Sequence, residues 1–336
     1  MSRFLAVFLV VTYLYGTTRD LVVFDTDSGL FGDDGAALVM LLRGTSPVVV
    51  QGITIVPGNV WAPQGAEYMF HILDLLKKPQ MQVAMGADGP LIHTAAMSKE
   101  FDRRWGGLGY TGAFAQDPAA VIPAPGSKIS TRKLRRDAIN FLISEIERHP
   151  GEVTILALGP MTNIALALRL KPDIETKIKR IVFMGGNIRV AGNASNAAEF
   201  NFWFDPEATR KVLRAHWPRI DVTTVDVSIK AKLTGEMLDA ISHASTPAAQ
   251  YISTFEKELG YMWDEIAACA WLDPAIITRT RDLYMDIDVS HGPSYGHTLT
   301  WDKALKPALD VQLVHAQVDL DVARFSKMFV DLMSAR

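Results

Sequence analysis

The stretch Leu21-Val22-Val23-Phe24-Asp25-Thr26-Asp27-Ser28-Gly29-Leu30-Phe31-Gly32-Asp33-Asp34 runs from a short apolar strand pattern through four carboxylates in ten residues and into a helical pattern. A strand that feeds a helix in this way opens a βαβ unit. In open α/β sheets, ligands sit beyond the carboxyl ends of the strands. Asp25 and Asp27, two apart, share one face of the extended chain, while Asp33 and Asp34 fall in the first helical turn, where the dipole favours anions. Gly29 and Gly32 permit a tight approach of the backbone. Capping a helix needs one Asp rather than four, and carboxylates this close repel one another unless a cation or a proton joins them. Oxygen donors with no His or Cys nearby suit a hard divalent ion, Ca²⁺ or Mg²⁺, over zinc.

Working outward, apolar strand patterns recur at 48–55, 82–85, 153–158, 180–184, 221–225 and 285–289, and they alternate with helical patterns at 34–43, 64–76, 134–148, 161–170 and 206–215. The strand interiors are continuously apolar, as expected where both faces are covered. Residues 230–272 read as helices, 322–333 as a last helix, and 86–130 as a long excursion without periodicity, a flap beside the site. These patterns predict an α/β fold: a single large doubly wound domain over 19–336, with a mostly parallel central sheet and helices on both faces.

The chain has 336 residues, 49% of them apolar and 21% charged, which excludes a disordered or low-complexity protein. A net charge of −3 offers no footprint for a nucleic acid partner. The single cysteine, Cys269, lies in an apolar run, so disulfides and cysteine-based zinc sites are excluded. Residues 4–15 form an apolar run after Arg3, too short to span a bilayer and of the length of a signal-peptide core. Residues 1–18 are therefore read as a signal peptide. The predicted location is periplasmic or secreted, with no stable membrane insertion after processing, and the cytoplasm is the alternative.

Four motifs in order carry a resemblance: the Asp-rich opening, Gly52-Ile53-Thr54-Ile55-Val56-Pro57-Gly58-Asn59, Leu156-Ala157-Leu158-Gly159-Pro160-Met161-Thr162-Asn163, and Phe183-Met184-Gly185-Gly186 running on to Asn193 and Ala198-Glu199-Phe200-Asn201. A fifth is Trp263-Asp264-Glu265. With these the chain resembles the inosine-uridine nucleoside hydrolase family over nearly all its length after residue 20. The resemblance implies calcium-dependent hydrolysis of the N-glycosidic bond of ribonucleosides, by a homodimer or homotetramer. It also implies a Ca²⁺ ion held by Asp27, Asp34, the carbonyl of Leu158 and Asp264, with Asp27 as general base. Asp33, Asn193, Glu199 and Asn201 would hold the ribose hydroxyls, Asn59 would lie near the reacting end of the sugar, and Met184 would pack beneath it.

Two departures stand out. Asp27 and Asp33 are six apart where the common opening has four, and Phe31 stands where the longer variant carries another acid. Trp263 occupies the position at which many pyrimidine-tolerant members carry a histidine that assists the leaving base; in this it resembles the purine-preferring branch, where indole stacking activates the base. The expectation is a purine preference, with Trp263 as a catalytic residue. Trp105, His93 and Tyr110 in the excursion, and Trp61 after the Pro57-Gly58-Asn59 turn, are candidates to close over the base.

Two other readings compete. A nucleoside- or sugar-binding homologue without turnover would keep the same pocket. A haloacid-dehalogenase-like phosphatase shares the Val23-Phe24-Asp25-Thr26-Asp27 opening but wants Thr or Val where Gly29 stands.

Overall fold

A computed structural model describes residues 20–30, 32–44, 48–256 and 259–335. Residues 1–18, read above as a signal peptide, and Phe31 lie outside the described residues. Nine strands form one sheet: β1 (Asp20–Thr26), β2 (Val48–Ile55), β3 (Val83–Met85), β4 (Val153–Ala157), β5 (Arg180–Met184), β6 (Ile220–Thr223), β7 (Ile277–Ile287), β8 (Thr298–Asp302) and β9 (Leu313–Leu320). Their spatial order is β3-β2-β1-β4-β5-β6-β9-β7-β8, and every pairing from β3 through β9 is parallel. Only β7 runs antiparallel, to both β8 and β9.

From β1 the chain winds outward through β2 and β3, then returns to the other side of β1 to lay down β4, β5 and β6. The β1/β4 boundary is thus the topological switch point, where a crevice opens above the strand ends. Strands β4 and β5 are buried almost throughout, as two covered faces require. One core packs helices Asp34–Arg43, Ala62–Leu75, Asp264–Leu272 and Val322–Ser334 on one face of the sheet. A second packs Ala138–Arg148, Thr162–Leu170 and Pro206–Leu213 on the other. Among the described residues, no helix is long and apolar enough to cross a membrane.

The first helix starts and stops where the sequence pattern places it, Asp34–Arg43. The strand expected at 221–225 ends at Thr223 because Thr224 turns the chain into a short helix, Val225–Ser228. The excursion is not without structure: Ala95–Trp105 is a helix capped by the hydroxyl of Thr94, which accepts from the Met97 amide. Its low apolar content hides it from a periodicity reading, since only Ser98 and Phe101 are buried.

Candidate active site

The ends of β1, β2, β4 and β5 and the starts of the helices at Asp34 and Asp264 meet around the switch point. Past β1, the loop carries Asp27, with Ser28 and Leu30 at φ 43° and 62°. Positive φ at two non-glycine residues is a strained backbone, a type found mostly at functional sites. The glycines flagged in the sequence do not take it; Gly29 instead packs against Asn59, whose Nδ2 lies 3.1 Å from where a Cβ would sit. Past β2, Gly58 presses on the carboxylate of Asp27, so closely that a Cβ there would lie 2.0 Å from Oδ2. Only glycine fits this approach. The next residue, Asn59, uses the proximity: its backbone amide donates to Asp27 Oδ2 at 2.7 Å, and its Nδ2 donates to Asp34 Oδ2 at 3.0 Å and reaches Asp27 Oδ1 at 3.3 Å.

Asp33 caps the helix Asp34–Arg43 by accepting from the Asp34 amide at 2.8 Å. Asp34 is fully buried and accepts from Gly29 N at 3.1 Å and from the Thr26 hydroxyl. Asp264 opens a second helix, Asp264–Leu272, which packs along the first. Two helix amino termini therefore converge on the acids, and their dipoles offset part of the negative charge. The carboxylates of Asp33, Asp34 and Asp264 bring one oxygen each to within 4.8 Å of one another. Oδ1 of Asp264 is buried without a hydrogen-bond donor among the described residues. Burial pushes the Asp27, Asp33 and Asp264 carboxyls well above the usual carboxylate range, and the neighbouring charges, Asp34 first, push them further. A buried cluster of this kind asks for a cation. The set offers oxygen donors alone, which fits a hard divalent ion.

Across the crevice stand Leu158, Met184, Asn193, Glu199 and Asn201, which line a cleft of about 550 Å³ together with Asp27, Asp33, Asn59, Trp263 and Asp264. Asn201 Nδ2 donates to the carbonyls of Leu158 and Met184 at 3.1 and 3.2 Å. Glu199 is buried and accepts from the amides of Gly186, Asn201 and Phe202 at 2.9, 2.8 and 3.0 Å. Burial raises its carboxyl to about 7 against these donors. Asn193 Oδ1 accepts from Phe200 N at 2.8 Å. Glu199 and Asn193 therefore shape the helix Phe200–Phe204 and its approach as well as facing the cleft.

Residues 22–327 match the family described as inosine-uridine preferring nucleoside hydrolase. The chain belongs to this family. Uridine nucleosidase 1 of Arabidopsis thaliana is 34% identical over 302 residues, covering 86% of this chain and 83% of the relative. A plant nucleoside hydrolase structure superposes with a TM-score of 0.78 at 23% identity, covering 95% of this chain and all of the other. The purine-preferring ribonucleoside hydrolase from Gardnerella vaginalis has a TM-score of 0.74 at 26% identity, with 94% and 98% covered. The doubly wound domain and the nucleoside hydrolase character expected from the motifs thus stand.

The residues that the resemblance assigned to the ion and the ribose lie at the crevice of this nucleoside hydrolase, with one difference of depth. Asp34 sits beneath the cleft floor, and the tightest carboxylate triplet pairs it with Asp33 and Asp264, while Asp27 is bound to Asn59 beside them. Asp25 points elsewhere: buried, it accepts from Thr54 Oγ1 at 2.5 Å and Asn163 Nδ2 at 2.9 Å and ties β1 to β2 and to the helix Thr162–Leu170. Leu108 and Phe200 line the cleft without having been anticipated; Leu108 is a lone apolar residue in a loop, and Phe200 belongs to a short apolar helix whose sequence reads as core. Trp263 is partly exposed and also borders an adjoining cleft of about 580 Å³ lined by Tyr68, Phe255 and Tyr261.

Of the aromatic candidates, Tyr110 reaches the cleft. Trp61 is buried at the start of the helix Ala62–Leu75, and Trp105 packs on Phe101. His93 is a core residue. Its Nδ1 faces the carbonyls of Trp203 and Phe204, both at 3.2 Å, and its Nε2 meets the Ser98 hydroxyl at 3.1 Å. Burial lowers its pKa from 6.5 to about 4. The unfolded chain therefore takes up the proton first as pH falls through 6.5, and stability is lost down to about pH 4, at most about 3 kcal/mol for this group. Denaturant titrations at pH 7 and pH 5 should show this loss in the native protein and a shallower one in His93→Phe. Equal slopes would remove His93 as the cause.

Proposed function

We propose that this nucleoside hydrolase cleaves ribonucleosides to free base and ribose in a calcium-dependent reaction, with purine nucleosides preferred. The observation that carries the reading is the opposition, across one cleft, of the Asp27, Asp33, Asp34 and Asp264 cluster and the polar wall of Asn193, Glu199 and Asn201. Asp27, Asp34, Asp264 and the Leu158 carbonyl would hold the ion. When bound, the ion supplies positive charge that orients the ribose diol and makes water easier to deprotonate.

The protein's own groups do the rest. Asp27, fixed by two bonds from Asn59, accepts the proton of the attacking water. Asp33, Asn193, Glu199 and Asn201 bind the ribose hydroxyls and hold the anomeric carbon in line, and Met184 packs beneath the sugar. The surplus of carboxylates stabilises the cationic sugar that forms as the bond breaks. No Lys, Arg or His among the described residues lines either cleft, so a 5′-phosphate would find no counter-charge; nucleosides fit this site and phosphate esters do not.

The purine preference rests on Trp263. Stacking of a base on its indole contributes roughly 1–3 kcal/mol, so Trp263→Ala should lower kcat/KM for inosine by about 5- to 150-fold. The similarity to a uridine nucleosidase favours a pyrimidine reading instead. Ribose release from inosine, adenosine, guanosine, uridine and 2′-deoxyinosine decides between them. Inosine should exceed uridine, and 2′-deoxyinosine should be a poor substrate because it lacks the hydroxyl facing the acids. A uridine rate above inosine would overturn the base preference, and equal rates for inosine and its deoxy analogue would overturn the ribose reading. No ribose from any nucleoside would leave a binding homologue. Export of the processed chain to a periplasmic or secreted location, and assembly as a homodimer or homotetramer, remain part of the proposal.

A further inference from the structure

Asn59 bonds to Asp27 through its backbone amide and its side chain, to Asp34 through Nδ2, and approaches Asp33 Oδ1 at 3.5 Å. The backbone carbonyl of this same residue accepts a hydrogen bond from the hydroxyl of Tyr110. Tyr110 comes from the excursion, 51 residues further along the chain. Just before it, the chain passes through Gly106 and Gly107, both at positive φ (72° and 140°), and the Leu108 amide donates to the Ala194 carbonyl at 2.7 Å. Residues 106–110 thus run as a strap from the wall that carries Asn193 to the wall that carries Asn59, and Leu108 and Tyr110 line the cleft between these two anchors.

We propose that Tyr110 is a positioning residue for hydrolysis: its hydroxyl fixes the peptide of Asn59 and, through Asn59, the orientation of Asp27. The amide of Asn59 that donates to Asp27 and the carbonyl that accepts from Tyr110 flank one α-carbon, so a rotation of this residue moves both bonds together. The half-buried Tyr110 ring is held against Phe200, with centroids 6.3 Å apart, so the hydroxyl can be removed while the ring stays in place. A bond of this strength, lost where geometry controls the reaction, corresponds to about a tenfold change in rate. This role rests on the reading of Asp27 as the base.

The test is Tyr110→Phe, assayed at saturating calcium with the substrate that is turned over fastest. The expected result is a roughly tenfold fall in kcat, a KM within twofold of the native value, and an unchanged melting temperature. A raised KM with kcat unchanged would mean that the hydroxyl binds substrate directly, and a native kcat with a native KM would mean that its bond to the Asn59 carbonyl sets nothing at Asp27. Either overturns the proposal. Asp27→Asn, made in parallel, keeps the two readings apart. If it stays active, the base assignment fails. If it is inactive while Tyr110→Phe turns over normally, only the positioning role fails.

Discussion

Asp27→Asn should lower kcat by about 10²–10⁴, the usual contribution of a positioned general base, while the fold stays intact. The substitution is nearly isosteric, and the backbone amide of Asn59, 2.7 Å from Oδ2, can still donate to an amide oxygen at the same place. What is lost is the capacity to take a proton. Because Asp27 also stands among the candidate ion ligands, the assay belongs at saturating calcium, with the melting temperature followed alongside. Without the ion, Asp27 is buried next to Asp34, and burial and that charge both disfavour its ionised form, so in calcium-free buffer removing its charge should leave the melting temperature unchanged or raise it. A variant that keeps more than about a tenth of the native kcat would end the assignment of Asp27 as base.

Stripping divalent ions should abolish turnover and soften the protein at once. Three carboxylates with oxygens within 4.8 Å, one of them with a buried oxygen that has no donor among the described residues, are held together in the ion-free protein by helix dipoles, protonation and the hydrogen bonds that Asp33 and Asp34 accept. An ion present at a hundred times its Kd adds about 2.7 kcal/mol to the folded state. For a chain of this size that corresponds to a rise in melting temperature on the order of 5 °C. Dialysis against a chelator, followed by return of calcium, magnesium or zinc singly, should restore ribose release and the melting temperature together, and calcium should do so best. Full activity after exhaustive chelation, with no thermal response to calcium, would remove the ion from the proposal.

The legible parts of the molecule are those whose physics is local. The first helix could be bounded in sequence because Asp33 caps it and Gly44 ends it. β4 and β5 could be read because strands covered on both faces show unbroken apolar runs. The far edge was blurred for the opposite reason. β9 alternates between buried and half-exposed residues, and the first half of β7 is exposed, so an apolar-run reading passes over the one and shortens the other. Within the site, the acids and amides stood out through their type and crowding. The bond from Tyr110 to Asn59 did not, because two residues far apart in sequence give no sign of a contact made only by the folded chain.

The acids that gather at the switch point come from both ends of the polypeptide: Asp34 opens the first helix, and Asp264 opens one formed more than two hundred residues later. A nascent chain emerging from the ribosome therefore lacks the full set of acids until Asp264 has been synthesised. A bound divalent ion would not template the early steps of folding; it would stabilise a contact closed late, between helices far apart in the chain. This high contact order makes slow folding the natural expectation, and any fragment that ends before residue 264 is a sheet with half a cage.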